Sequence, residues 1–138
     1  MAKTIHIALV GNPNSGKSSL FNVLTGLNQK VGNFPGVTVD KKVGTCQLSE
    51  EVTATIVDLP GTYSLYPRRE DEWVAYRVLM RQDTEVDEPE MVVLIADASN
   101  LKRNLLFASQ IIDLKIPVVV GLTMRRYTCT AVTTSFWQ

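Results

Sequence analysis

Eight residues near the N-terminus constrain the fold of this chain more than any other feature. They read Gly11-Asn12-Pro13-Asn14-Ser15-Gly16-Lys17-Ser18 and match the phosphate-binding pattern G-x-x-x-x-G-K-[ST] at every fixed position. An apolar run of strand length, residues 5–10, precedes this loop, and a helical pattern over residues 19–24 follows it. A turn that carries Lys-Ser by coincidence is the alternative, but it would not require this strand–loop–helix context. The chain is therefore predicted to bind a nucleoside triphosphate.

The residue types of this loop suit a phosphate chain. Glycines let the backbone wrap closely around the phosphates with its N–H groups pointing inward. Lys17 is predicted to place its charge at the β and γ phosphates, and the Ser18 hydroxyl is predicted to bind Mg²⁺. The helix that follows presents the positive end of its dipole to the same anion.

Composition narrows the class of protein. The chain has 138 residues, which suits one domain with a buried core, and its formal net charge is zero. A net charge of zero does not indicate nucleic acid or an acidic membrane surface as a partner. Cys46 and Cys129 have no C-x-x-C spacing, so neither a disulfide nor a metal role is predicted for them. Without a signal peptide or an apolar stretch of membrane-spanning length, the chain as given is expected to be soluble and cytoplasmic.

Apolar runs alternate with helical patterns, which predicts an α/β fold with three layers and a mostly parallel sheet. Strands are predicted over residues 4–10, 39–48, 52–58, 91–96 and 117–122, and helices over 17–25, 70–81 and 101–114. The two strands at 39–48 and 52–58 are expected to form an antiparallel hairpin through residues 49–51. Residues 27–37 show neither the helical nor the strand periodicity and are predicted to form a loop. Residues 83–89 are predicted to form an acidic connecting loop.

Two further segments contain residues that could complete a site for Mg²⁺ and the γ-phosphate beside the phosphate-binding loop. Asp58-Leu59-Pro60-Gly61 follows a predicted strand, where the Asp58 carboxylate would reach Mg²⁺ through water and the Gly61 N–H would sense a γ-phosphate. Thr38 lies in the Gly-rich segment 32–39 and would supply a second hydroxyl to Mg²⁺ when a γ-phosphate is present. A plain surface turn is the alternative for that segment.

Together these segments resemble GTPases of the translation-factor class and, more narrowly, the cytosolic domain of ferrous iron transport protein B (FeoB). The motifs that carry the resemblance are G-N-P-N-S-G-K-S, N-F-P-G-V-T-V, D-L-P-G-T-Y-S-L and D-A-S-N-L-x-R-N-L, in that order within residues 4–124. The resemblance implies a P-loop NTPase fold and a domain that binds GTP or GDP, hydrolyses GTP slowly and regulates a ferrous iron transporter. Its partner would be the membrane permease portion of the same protein, at the cytoplasmic face of the inner membrane. The alternatives are a stand-alone GTPase associated with ribosomes or tRNA, and a non-catalytic nucleotide-binding fold.

The resemblance also implies roles for individual residues. Lys17, Thr38 and Gly61 would be catalytic, and Ser18, Thr38 and Asp58 would hold Mg²⁺. Asn14 matches an asparagine that helps to hold an activating K⁺ ion in this family, although Asn also tolerates the left-handed geometry of a turn. The nucleotide-binding residues would be Gly11, Asn12, Pro13, Asn14, Ser15, Gly16, Lys17, Ser18, Ser19, Gly36, Val37, Thr38, Asp58, Leu59, Pro60, Gly61 and Thr123.

Position 62 is a threonine and not the glutamine that orients water in Ras-like proteins. No other side chain is an obvious choice for placing the nucleophile. The resemblance implies two switch segments, switch I with Gly36, Val37 and Thr38, and switch II from Asp58 through Gly61, Thr62 and Tyr63. We therefore expect slow intrinsic turnover, with the attacking water positioned by the backbone of these segments.

The sequence departs from the family after residue 122. The family reads guanine with N-K-x-D or a variant of it, but here Thr123 stands at the Asn position and Arg126 at the Asp position. An arginine cannot accept hydrogen bonds from the base, so selectivity for guanine is expected to fall. Residues 125–138 are predicted to be an atypical tail, out of frame or foreign, with a genuine divergent terminus as the alternative. Without the last strand and helix of the family, the edge of the strand at 117–122 would be exposed, which favours a homo-oligomer.

Overall fold

The computed structural model describes residues 2–13, 15–34, 36–82, 87–124 and 127–134. The strands are β1 (Lys3–Gly11), β2 (Gln29–Asn33), β3 (Asp40–Gln47), β4 (Val52–Asp58), β5 (Met91–Asp97), β6 (Val118–Met124) and β7 (Tyr127–Thr134). The helices are α1 (Lys17–Thr25), α2 (Glu70–Leu79) and α3 (Leu101–Ile112), and a short 3-10 turn at Ala98–Asn100 precedes α3.

All seven strands belong to one sheet in the order β2-β3-β4-β1-β5-β6-β7. The four central strands β4, β1, β5 and β6 run parallel, whereas β2, β3 and β7 pair antiparallel with their neighbours. Parallel strands require crossover connections, which are supplied by the helices. The carboxyl ends of β1, β4, β5 and β6 consequently lie at one edge of the sheet, where ligands bind in open α/β folds.

Hydrophobic side chains cover both faces of this sheet. On one face Phe21 of α1 is fully buried in a cluster with Leu9 and Ile56. On the other face α2 and α3 pack side chains such as Val74 and Phe107 into a larger cluster. Strands buried on both sides read as continuous apolar runs, which is why β1 and β5 could be predicted from the sequence. The result is the three-layer α/β fold that the sequence predicts.

Most predicted elements are confirmed to within two or three residues at each end. The β3–β4 hairpin is also confirmed, since Leu48 N–H donates to the Val52 carbonyl oxygen at 2.9 Å and the strands pair antiparallel. The prediction of a loop over residues 27–37 is wrong for its middle part, because Gln29–Asn33 forms the edge strand β2. Four of its five residues are exposed, so β2 has no alternation of apolar and polar side chains to reveal it.

The prediction that the edge of β6 is left exposed is also wrong. The tail contains a seventh strand, β7, which pairs antiparallel with β6 in a register that joins Val120 to Val132. Residues 127–134 include four Thr, a residue type that favours extended backbone, and the N–H and C=O groups of β6 provide an unpaired ladder. The edge of β6 is therefore no longer an argument for the predicted homo-oligomer, which stays a prediction. Arg125 and Arg126 lie outside the described residues.

Candidate functional site

The phosphate-binding loop connects β1 to α1 at the carboxyl edge of the sheet. Gly16 has a φ of +91°, in the left-handed region that favours glycine. A Cβ atom on Gly11 would lie 2.8 Å from the Ile95 carbonyl oxygen and 2.9 Å from Ser15 Oγ, so no side chain fits there. The pattern thus requires glycine at its two fixed positions for different reasons: Gly16 for its backbone conformation and Gly11 because a side chain would clash. Asn14, predicted to help hold K⁺, lies outside the described residues.

Lys17 forms a buried ion pair with Asp58, in which Lys17 Nζ donates to Asp58 Oδ1. The two side chains are only 10% and 7% exposed. They meet because β1 and β4 are parallel neighbours, with Leu9 opposite Asp58, so the start of α1 lies beside the end of β4. A buried ion pair of this kind is costly to break from one side only, because the remaining charge is left without a partner.

Thr38 lines the same cavity as this ion pair. The cavity has a volume of about 360 Å³. Its lining residues are Lys17, Thr38, Val39, Asp40, Lys42, Asp58, Leu59, Pro60 and Asp71. The Asp58 carboxylate and the Thr38 hydroxyl offer the hard oxygen donors that Mg²⁺ prefers. These two members of the predicted Mg²⁺ site therefore face one space, and the donor set fits the metal.

Ser18 lines a second cavity of about 610 Å³, which also contains most of the phosphate-binding loop. Its lining residues are Asn12, Pro13, Ser15, Gly16, Lys17, Ser18, Ser19, Gly61, Arg69 and Asp71. Lys17 and Asp71 line both cavities, so the two spaces adjoin. Ser15 Oγ is buried and has no hydrogen-bond partner among the described residues. Such an atom is rare in folded proteins and, here, can be satisfied by a bound anion if the hydroxyl donates.

The segment before β3, called switch I below (residues 36–38), is anchored by its neighbours. Phe34 is 2% exposed and belongs to the larger core cluster, while Val37 and Val39 pack against that cluster. Phe34 N–H donates to the Val39 carbonyl oxygen at 3.0 Å, which closes the segment. Gly36 has a φ of +76°, so the turn needs a glycine there. The anchored residues on either side leave Thr38 exposed toward the cavity.

The segment after β4, called switch II below (residues 58–65), touches the phosphate-binding loop directly. A Cβ atom on Gly61 would lie 2.9 Å from both Pro13 Cα and Pro13 N, so only glycine allows this approach. The backbone N–H of Thr62 donates to the Gly11 carbonyl oxygen at 3.0 Å. The Thr62 hydroxyl donates to the Ser64 carbonyl oxygen at 2.8 Å, so it is engaged within switch II itself.

Thr123 connects the end of β6 to the phosphate-binding loop. Its hydroxyl lies 2.8 Å from the Ser15 carbonyl oxygen and 3.3 Å from the Ala96 carbonyl oxygen, both of which are acceptors. The sequence suggested that Thr123 partly replaces the family's asparagine, and the structure gives it a bracing contact with the loop. Arg126, predicted to occupy the base-reading position, lies outside the described residues.

Two side chains of α3 hold switch II, and neither role was predicted from the sequence. The Arg103 guanidinium stacks over the Tyr63 ring at 3.8 Å from its centroid. Gln110 Oε1 accepts hydrogen bonds from the Leu65 N–H at 2.8 Å and from the Ser64 hydroxyl at 3.2 Å. Arg103 lies within the D-A-S-N-L-x-R-N-L motif, which was a usable signal, whereas nothing local distinguishes Gln110.

The same motif is braced internally by Asn104, which is 2% exposed. Its Oδ1 accepts from the Asp97 N–H at 3.2 Å, and its Nδ2 donates to the Asn100 carbonyl oxygen at 2.7 Å. Asp97 in turn accepts from the Ser99 N–H at 2.9 Å and so caps the 3-10 turn. These bonds fix the entry into α3 and with it the position of Arg103.

Within the ranges described, none of the helices has both the length and the apolar character that a membrane span needs.

Comparison with known proteins agrees with the fold. The sequence model of a family described as ferrous iron transport protein B matches residues 5–131, so the match continues past Met124. The Fe(2+) transporter FeoB of Leptospira biflexa is 52% identical over 123 residues, covering 89% of this chain and 17% of the relative. The chain thus spans about a sixth of the length of the curated relatives that it matches.

Solved structures of the same family superpose well on this fold. The G domain of the T. maritima FeoB iron transporter has a TM-score of 0.76 and 40% identity, over 88% of this chain and 72% of that one. A mutant of S. thermophilus NFeoB bound to GDP has a TM-score of 0.75 and 44% identity, over 86% of this chain and 44% of that one. With the family's sequence model matching most of its length and its fold shared with their G domains, the chain belongs to the ferrous iron transport protein B family.

Proposed function

We propose that this chain binds GTP and GDP together with Mg²⁺ and hydrolyses GTP slowly. The observation that carries the proposal is the convergence of Lys17, Thr38 and Asp58 on one cavity, which adjoins the phosphate-binding loop at Lys17. A cationic group, a hydroxyl and a carboxylate at the end of parallel strands are the groups that a triphosphate and its metal require.

Each residue of the site then has a specific task. Lys17 exchanges its contact with Asp58 for the β and γ phosphates, which frees the Asp58 carboxylate to face the metal through water. Ser18 and Thr38 would hold the metal with their hydroxyls. Mg²⁺, when bound, would neutralise charge that develops on the phosphates. The backbone N–H of Gly61 would contact the γ-phosphate, at a position where switch II already touches the loop.

Slow hydrolysis follows from what switch II lacks. The Thr62 hydroxyl is engaged by the Ser64 carbonyl oxygen and is not available to orient water. The attacking water would instead be positioned by the backbone of the switch segments. Asn14 would help to hold a K⁺ ion beside the phosphates, where it supplies the charge that an arginine finger supplies elsewhere.

Family membership favours a regulatory domain of a ferrous iron transporter over a stand-alone GTPase of ribosomes or tRNA, and over a non-catalytic nucleotide-binding fold. In that function the domain works at the cytoplasmic face of the inner membrane and signals to a permease portion of the same protein. The contacts of Arg103 and Gln110 with switch II offer a route from the nucleotide to α3, because any movement of residues 63–65 must break or carry these contacts.

The proposal is tested by titrating fluorescent GTP and GDP analogues with and without Mg²⁺. Thr38→Ala is expected to spare GDP binding and weaken the GTP complex, because Thr38 would contact Mg²⁺ only in the triphosphate state. Thr45→Ala, at an exposed position of β3, is the matched control and should leave both affinities unchanged. Equal losses for GDP and GTP in Thr38→Ala would assign Thr38 a structural role and refute its part in the site.

The tail adds a second test of the same proposal. We propose that the G domain resembles the family over residues 4–124 and that Arg126 weakens guanine recognition, because it replaces a carboxylate that pairs with two base donors. Arg126→Asp is then expected to recover part of the affinity for GTP but not for ATP. Clear GTP-over-ATP preference with micromolar affinity in the unaltered chain would contradict this reading of the tail.

A further inference from the structure

An arginine at the start of α2 borders the cavity of the phosphate-binding loop. Arg69 lines the same space of about 610 Å³ as Lys17 and Gly61, eight positions after Gly61 in the chain. Its backbone is extended, with φ −121° and ψ 162°, and its carbonyl oxygen accepts from the Trp73 N–H at 3.0 Å. The first turn of α2 thus fixes the backbone of Arg69 at this cavity. Its side chain is 76% exposed, so the guanidinium has room to turn toward a ligand.

Asp71 keeps the guanidinium of Arg69 near the cavity. Arg69 Nε lies 3.6 Å from Asp71 Oδ1, and Asp71 lines both the phosphate-loop cavity and the adjoining cavity at Asp58. The same oxygen accepts from the Glu72 N–H at 3.0 Å, which ties the carboxylate to α2. A guanidinium carries five N–H donors in a planar fork. Its Nε can therefore stay beside Asp71 while its terminal N–H groups donate to a phosphate oxygen.

The charges at this cavity suit a triphosphate. Of the described residues that line it, Asp71 has the one carboxylate, and it faces two cations, Lys17 and Arg69. Glu70 and Glu72 do not line the cavity, and Glu72 Oε2 accepts from the Arg68 backbone N–H at 3.0 Å. A magnesium triphosphate carries more negative charge than one lysine neutralises. A second cation at this cavity therefore has an anion to meet once the nucleotide is bound.

We propose that Arg69 is a catalytic residue that donates hydrogen bonds to the γ-phosphate of GTP during hydrolysis. The inference rests on the proposed function. The water oxygen bonds to the γ-phosphorus, and the bond from that phosphorus to the β–γ bridging oxygen breaks. GDP leaves with the electron pair, and the proton of the water remains on the released phosphate. Arg69 stays protonated throughout, and its charge stabilises the negative charge that spreads over the γ-phosphate in the transition state.

This role is compatible with slow turnover. Arg69 supplies charge and does not orient the attacking water, which the Thr62 hydroxyl is not available to place either. It would act together with the K⁺ ion proposed at Asn14, since each adds positive charge beside the phosphates.

Arg68 is the matched control, because it is the same residue type at the neighbouring position. It lines the space on the outward face of α2 and not the phosphate-loop cavity, whereas Arg69 borders both. Arg68→Gln and Arg69→Gln thus remove the same charge from the same segment. A general effect of net charge on nucleotide binding would appear equally in both variants.

The test uses the 138-residue chain with Mg²⁺ and three readouts: Kd for a fluorescent GDP analogue, kcat at saturating GTP, and Kd for GDP with aluminium fluoride. Aluminium fluoride beside GDP mimics the phosphoryl group in transfer. Arg69→Gln should leave the Kd for GDP within about twofold of the parent value, lower kcat at least about tenfold, and weaken the aluminium fluoride complex similarly. Arg69→Lys should recover only part of each loss, because an ammonium lacks the planar fork. Arg68→Gln should change each value by less than about twofold. Circular dichroism on each variant verifies that the fold is intact.

Two results would overturn the role of Arg69 and leave the proposed function standing. One is a parent chain that binds GDP and hydrolyses GTP, with kcat and the aluminium fluoride complex unchanged in Arg69→Gln. The other is an equal loss in Arg68→Gln, which would indicate a general charge effect. A parent chain that neither binds GDP nor hydrolyses GTP would instead overturn the proposed function, and the role of Arg69 with it.

Discussion

Replacing Lys17 by methionine should reveal that this residue has a structural task in addition to its predicted contact with phosphate. Methionine keeps most of the length of the side chain but removes the ammonium, so Asp58 is left with a charged side chain that is only 7% exposed. Removing one partner of a buried ion pair typically costs about 3 to 5 kcal/mol. That loss is a large part of the stability of an ordinary domain, which is about 5 to 15 kcal/mol.

Urea unfolding followed by circular dichroism measures this loss. With an m value of about 2 kcal/mol per molar urea, the midpoint should fall by about 2 M. The double variant Lys17→Met/Asp58→Asn has no unpaired charge and should recover more than half of the lost stability. Both variants should nevertheless fail to bind a fluorescent GDP analogue, because neither can neutralise the phosphates. Stability and binding would then be separated within one pair of variants.

Lys102→Met provides the control for this experiment, since it removes a lysine from an exposed position and should change stability by less than about 0.5 kcal/mol. If Lys17→Met proves as stable as the parent chain, the buried pair with Asp58 contributes nothing to folding and the reasoning from its burial is wrong.

Three further outcomes are expected. Gly61→Ala should reduce affinity for nucleotide and cost about 1 to 3 kcal/mol of stability, because the added Cβ would lie 2.9 Å from Pro13 backbone atoms; unchanged urea midpoint and affinity would contradict the close approach of switch II. Phe107→Ala should lower the free energy of unfolding by about 3 to 5 kcal/mol in the same assay, since Phe107 is fully buried, and a change below about 1 kcal/mol would mean that α3 is not packed as described. In the Arg126→Asp variant, GTP hydrolysis should be faster in K⁺ than in Na⁺, and adding Asn14→Ala should abolish the difference; the absence of any cation dependence before Asn14 is changed would rule out the K⁺ site.

The phosphate-binding loop could be predicted from the sequence because its requirements are local. Eight consecutive residues encode a glycine in the left-handed region, a glycine at position 11 where no side chain fits, and a lysine at the start of a helix. The central strands were equally readable, since strands buried on both faces leave long apolar runs. Edge strands do not leave this signal. β2 is almost wholly exposed, and β7 lies in a segment whose pairing depends on β6 and not on its own pattern.

The tertiary structure alone decided how the site is assembled, because its contacts join residues far apart in the chain. Lys17 and Asp58 are 41 positions apart, Ser15 and Thr123 are 108 apart, and Leu65 and Gln110 are 45 apart. No local pattern encodes such pairs, since each depends on which strands are neighbours and on where their carboxyl ends meet. Sequence identified the groups that would touch a phosphate. The parallel order of β4, β1, β5 and β6 determined which residues hold those groups in place, because that order brings four strand ends to one edge of the sheet.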